Sequence, residues 1–92
     1  MALQFEWHSK KALANKRKHG ITFEEASTIF GDPVSLTIYD PVHSIDEVRF
    51  ITIGTSARNR IIVAVHTYRG SIVRIISARK ATGNEIKQYH ES

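Results

Sequence analysis

Four stretches alternate apolar and polar side chains, and three others repeat at helical spacing. In Val34–Tyr39, Val34, Leu36 and Ile38 alternate with Ser35, Thr37 and Tyr39, the pattern of a half-buried strand. Further strands are expected over Glu47–Gly54, Arg60–Thr67 and Ser71–Arg79, the first two joined through Thr55–Asn59. A helix capped by His8 or Ser9 runs to about Lys18 on a thin apolar face of Ala12, Leu13 and Ala14, and His19-Gly20 closes it. Thr22-Phe23-Glu24-Glu25 is a capping box, and Phe23, Ala26, Ile29 and Phe30 carry a second helix to Phe30, stopped by Gly31-Asp32-Pro33. Thr82-Gly83-Asn84-Glu85 opens a short last helix to about His90, weakened by Gly83 in its first turn. Phe5-Glu6-Trp7 is a short apolar entry. The order ααββββα predicts an α+β domain with two N-terminal helices, a four-stranded antiparallel sheet and a short C-terminal helix.

With Arg69-Gly70 as a two-residue turn, His66 lies opposite Val73, Ala64 opposite Ile75, Ile62 opposite Ser77 and Arg60 opposite Arg79. Pairing Ile53 with Ile62 in the preceding hairpin sets Arg49 beside His66 and Glu47 beside Tyr68. A one-residue slip turns every side chain over, so this grouping depends on both registers. Both faces are rich in Ile and Val, more than three short helices can cover. An exposed apolar sheet face, and a partner to bind it, are therefore expected.

The chain of 92 residues is read as a single domain, 1–92, without cysteine for disulfides or thiolate metal sites. No apolar run reaches the ~18 residues of a membrane span, and Met1-Ala2-Leu3-Gln4 lacks the apolar core of a signal peptide. A cytoplasmic protein is the expectation. The net charge of +4 is unevenly spread. Lys10, Lys11, Lys16, Arg17 and Lys18 crowd the start, and Glu24, Glu25, Asp32, Asp40, Asp46 and Glu47 fill the middle. After Glu47, eight Lys or Arg face only Glu85 and Glu91. Such clustering suits a polyanion or an acidic partner, or serves solubility alone.

The five histidines are scattered, none at helical i, i+4 spacing, so neither a metal nor another cofactor is expected. Glu47, Arg49 and His66 form a more informative set. Cleavage of RNA by its own 2′-hydroxyl needs a base, an acid and positive charge on the phosphorane-like transition state. Arg supplies the charge, and Glu or His the proton transfer. The plainer alternatives are an ion pair along a strand and a core histidine. Arg74 can pair with an acid, Arg60, Arg79 and Lys80 can dock a partner, and Lys16-Arg17-Lys18 can be a solvated helix face. Tyr89 can stack on a base or simply dock its helix.

Phe5-Glu6-Trp7, Asn15, Lys18-His19-Gly20, Phe23-Glu24-Glu25-Ala26, Phe30-x-Asp32-Pro33, Glu47-x-Arg49-Phe50 and Arg74-Ile75-Ile76-Ser77-Ala78-Arg79-Lys80-Ala81-Thr82 together resemble the BrnT toxins, over nearly the whole length and in consistent order. The resemblance implies a RelE-like fold and a ribonuclease toxin of a bacterial type II toxin–antitoxin pair. Such a toxin cleaves RNA without a metal, inhibits translation and is neutralised by its antitoxin. That partner, BrnA, carries a ribbon-helix-helix domain, and operator DNA is bound only through the complex. Motif matches carry over Glu47, Arg49 and Arg79 as catalytic candidates, and chemistry adds His66. Lys18, His19, Arg60, Arg74, Lys80 and Tyr89 are the RNA-binding candidates. The alternative is a non-catalytic partner-binding module acting as co-repressor. Two positions depart from the family pattern. His8-Ser9 stands where Asp-Pro is usual, weakening the helix cap, and Gly83-Asn84 replaces a basic pair.

Overall fold

A computed structural model describes residues 3–92; Met1 and Ala2, where the start read as too polar for a signal peptide begins, lie outside the described residues. Strands β1 (Gln4–Glu6), β2 (Leu36–Asp40), β3 (Arg49–Thr55), β4 (Ile61–Arg69) and β5 (Ile72–Lys80) form one five-stranded sheet in the order β1-β5-β4-β3-β2. Helices α1 (Ser9–His19) and α2 (Phe23–Ser27) precede β2, and α3 (Gly83–Glu91) ends the chain. The helices are where the sequence puts them, but the four-stranded antiparallel sheet is corrected. Phe5-Glu6 belongs to a fifth strand, parallel to β5, pairing Phe5 with Val73 and Glu6 with Arg74. A strand of three residues is too short to show a period, and its partner lies far along the chain.

The capping box expected for α3 forms in full, whereas that of α2 forms only in its Thr22 half, because the Glu25 carboxylate is taken by Arg60 and Ser56. Thr22 accepts from the Glu25 N–H, and Thr82 and Glu85 form a complete capping box. α1 ends on Gly20 at φ +70°, whose N–H reaches the Lys16 carbonyl, while His8 makes no side-chain cap bond at its start. The second helix is shorter than expected, passing after Ser27 into a 3-10 turn over Thr28–Gly31.

Both hairpin registers differ from expectation. Asn59 adopts φ +61°, so the β3–β4 loop runs from Ser56 to Arg60 and the Ser56 N–H bonds the Arg60 carbonyl. Ile53 therefore faces Val63, and Phe50 rather than Arg49 faces His66. In the next hairpin Arg69 pairs with Ile72, so the turn is Gly70-Ser71, with Gly70 supplying positive φ in first position. Val65 then pairs with Ser77 but His66 with Ile75, leaving Ile76 as the extra residue of a bulge. Beyond the bulge the pleat is inverted relative to expectation. Ala78 turns to the core, and Arg79 lies opposite Val63 instead of Arg60.

The core lies on one face of the sheet, where Ile21, Phe23, Ala26 and Ile29 pack on Ile62, Ala64, Val73, Ile75 and Ala78. Burying each large side chain contributes about 1.5–3 kcal/mol. The contact with the 3-10 turn requires Gly54, because a Cβ there would stand 3.1 Å from the Ile29 carbonyl oxygen. Asn15 closes the edge of β5 beyond the end of β1. Its amide donates to the Ala78 carbonyl at 2.8 Å and accepts from the Ala78 N–H at 3.0 Å, imitating a neighbouring strand. Among the described residues no helix is long and apolar enough to cross a membrane.

Candidate functional site

The second sheet face is only partly covered. α3 lies across one end, enclosing a pocket of about 130 Å³ with Leu36, Ile38, Ile51, Ile53 and Val63. Ile38 is 62 % exposed at its margin. The uncovered apolar face expected from the sequence is present.

At the other end of this face, the registers line up a transverse row of polar side chains. Glu6 pairs with Arg74, Arg74 with Thr67, and Asp40 with Arg49; extending the β3–β4 register places Arg49 beside Thr67. The Thr67 hydroxyl donates to the Val48 carbonyl at 2.6 Å, consistent with that extension. Arg49 and Arg74 are thus two inter-strand steps apart, about 10 Å between Cα atoms. Arg74 and Arg69 share the Glu6 carboxylate, which those guanidiniums hold below its ordinary range. Arg49 is different. Its buried Nε has no hydrogen-bond partner among the described residues, and the Glu47 carboxylate stands 3.7 Å away. A buried donor left unpaired is costly, and the rest of the side chain, about a third exposed, is free to meet an anion on the open face.

The β2–β3 loop completes this end. Ser44 pins it, accepting from the Arg49 N–H at 2.9 Å and donating to the Asp40 carbonyl. Within it, His43 Nδ1 lies 2.7 Å from a carboxylate oxygen of Asp40. Neither residue was singled out from the sequence. The signal available was an Asp three positions before a His across an Asp-Pro turn.

The remaining candidates are dispersed. His66 is fully buried, 2.7 Å from the Thr52 hydroxyl, with its ring between Phe30 and Phe50. Burial pushes its pKa down to about 4, so it is neutral at pH 7. The structure does not bring it beside Arg49 or Glu47, because the slipped register puts Phe50 opposite it. Arg79 faces the open side but is held by Glu85 in a two-pronged pair of 2.7 and 2.9 Å. That pairing raises the Arg79 pKa and draws the Glu85 carboxyl down to about 2. Arg79 lies about 16 Å from Arg49, four residues along and two strands across.

Arg60 binds the buried Glu25 carboxylate, which also accepts from Ser56 at 2.7 Å, tying the β3–β4 loop to α2. Tyr89 is buried, its hydroxyl donating to Asp32 and sharing a 2.9 Å hydrogen bond with Thr55, so it docks α3. Lys80 is exposed at the end of β5. Lys18 and His19 line a shallow hollow beside Ile76 and Ser77, off the sheet edge. Among the described residues no three His, Cys, Asp or Glu side chains gather to hold a metal ion.

The profile of the family described as "Ribonuclease toxin, BrnT, of type II toxin-antitoxin system" matches residues 7–85. Among solved structures, the crystal structure of the Brucella abortus ribonuclease toxin BrnT is similar at a TM-score of 0.64 and 23 % identity, over 88 % of this chain and 99 % of that one. No curated protein matches the chain.

Proposed function

Because the chain belongs to the family of BrnT ribonuclease toxins of type II toxin–antitoxin systems, with RNA as target and a cognate antitoxin as partner, we propose that it cleaves RNA at the charged row of the open sheet face. The observation that carries this reading is Arg49, whose buried Nε has no hydrogen-bond partner among the described residues, with Glu47 3.7 Å away and Arg74 in line on the same face. A backbone phosphate lies against Arg49 and Arg74. Glu47, half-exposed and paired only loosely at 3.7 Å, takes the proton from the ribose 2′-hydroxyl. The 2′-oxygen attacks phosphorus, the bond to the 5′-oxygen breaks, and the two arginines stabilise the extra negative charge of the phosphorane. These fixed cations perform the task a metal ion would otherwise serve. The products are a 2′,3′-cyclic phosphate and a 5′-hydroxyl end.

Arg79 holds α3 at the far end of the trough, and Lys18 and His19 extend the path for the RNA backbone past β5. The antitoxin, of ribbon-helix-helix type, covers the apolar trough around Ile38 and blocks the row beside it. Operator DNA is bound by that complex. The test is induction of the toxin without antitoxin, wild type beside Arg49→Ala, following growth and RNA integrity. Arrest with RNA loss in the wild type, abolished by a substitution that leaves the protein folded, supports the assignment. Arrest that persists with Arg49→Ala removes Arg49 from the chemistry.

A further inference from the structure

The mechanism above leaves the departing 5′-oxygen without a proton donor, and the obvious histidine, His66, is sealed in the core. We propose that His43 is the general acid of this reaction, held in place by Asp40. The proposal rests on the cleavage site assigned to Arg49 and Glu47.

Three observations carry it. First, His43 is the one histidine that pairs with a carboxylate among the described residues, Nδ1 to Asp40 Oδ2 at 2.7 Å. The two ring nitrogens point away from each other, so a bond at Nδ1 aims Nε2 outward, and the side chain is 66 % exposed. Second, the anchor is firm where the acid is free. The Asp40 side chain is only 8 % exposed, and Ser44 ties its carbonyl to the start of β3. A buried carboxylate on Nδ1 fixes the ring's orientation and leaves Nε2 as the nitrogen that can meet a leaving group. Asp40 itself is held below the ordinary carboxylate range by the same hydrogen bond. Third, Asp40 and Arg49 are directly paired across β2 and β3 on the open face, about 5 Å between Cβ atoms. The dyad therefore stands in the row that receives the phosphate, with Arg49 between it and Thr67.

The step balances without another reactant. Glu47 carboxylate accepts the 2′-hydroxyl proton as the P–O2′ bond forms. His43 imidazolium gives its Nε2 proton to the 5′-oxygen as the P–O5′ bond breaks. Exchange with water then returns a proton to His43 and removes one from Glu47. Asp40 remains ionised throughout and acts as a positioning residue.

A leaving group that needs no proton separates this role from a structural one. The substrate is an oligoribonucleotide cleaved by the wild type at one bond, prepared also with sulfur replacing the bridging 5′-oxygen there. General acid catalysis contributes roughly 10²–10⁴-fold. Accordingly His43→Ala should slow cleavage of the oxygen linkage by about 10²-fold or more, and cleavage of the sulfur linkage by less than about 5-fold. Asp40→Asn should show a smaller loss with the same rescue, whereas Glu47→Gln should slow both linkages alike. Equal losses on both linkages for His43→Ala, or no loss on either, overturn the proposal while leaving the site reading intact. Wild-type cleavage that survives Arg49→Ala, with the sulfur rescue still present, overturns the phosphate assignment and keeps His43 as the acid. A wild type that leaves every RNA whole overturns both.

Discussion

Replacing His66 by glutamine keeps a hydrogen-bonding group near the Thr52 hydroxyl but removes the titration from the core. The folded ring ionises at about 4 because it is fully buried, against 6.5 when exposed. The unfolded chain therefore binds more protons than the folded one between these values, and stability falls as the pH drops through that window. At pH 5 the unfolded ring is almost wholly protonated and the folded one is not. The linkage amounts to about 2 kcal/mol lost between pH 7 and pH 5. Urea unfolding followed by Trp7 fluorescence measures it. With a slope of about 1 kcal/mol/M for a small domain, the wild-type midpoint should fall by about 2 M more than that of His66→Gln over this range. Parallel losses in the two proteins would refute a buried, neutral histidine. The same variant separates packing from chemistry. Where it is folded at pH 7 it should cleave RNA as the wild type does, and loss of cleavage at matched stability would return His66 to the site.

Asn15→Ala should destabilise the domain by about 2–4 kcal/mol, since it strips the strand-like pairing from Ala78 and leaves buried backbone groups unpaired; thermal unfolding should drop by about 10 °C or more, and an unchanged midpoint would contradict the edge-capping role. Gly54→Ala drives a methyl into the Ile29 backbone and should cost about 1–3 kcal/mol by the same assay. Arg79→Ala frees Glu85 and should loosen α3, seen as faster amide exchange over residues 83–91 with β3 and β4 still protected. Exchange as slow as in the wild type would show that the pair does not anchor that helix.

Much of this was legible because local chemistry sets it. Thr22, Thr82 and Gly20 mark helix ends through caps complete within four residues of sequence. The open sheet face followed from Ile and Val on both sides of four short strands. What failed to show was non-local or a matter of single residues. β1 is stabilised by pairing with β5, not by any pattern of its own. The left-handed Asn59 and the extra Ile76 each shift a register by one position, and with period-two pleating that was enough to bury His66 against Phe50 and turn Arg79 outward. Asp40 and His43 were missed for a related reason. Their pairing depends on a loop closed by Ser44, a long way in structure from anything a periodicity records.

The most direct test is the cleavage rate of a defined RNA by the purified full chain in excess chelator, wild type beside Arg49→Ala of matched thermal stability. The account predicts that the wild type cuts and leaves 5′-hydroxyl ends, and that Arg49→Ala is slower by about 10²–10³-fold, the loss typical of removing one transition-state donor. Equal rates for the two proteins, or cleavage that disappears with the chelator, would contradict a site whose positive charge is supplied by Arg49 and its neighbours on the sheet.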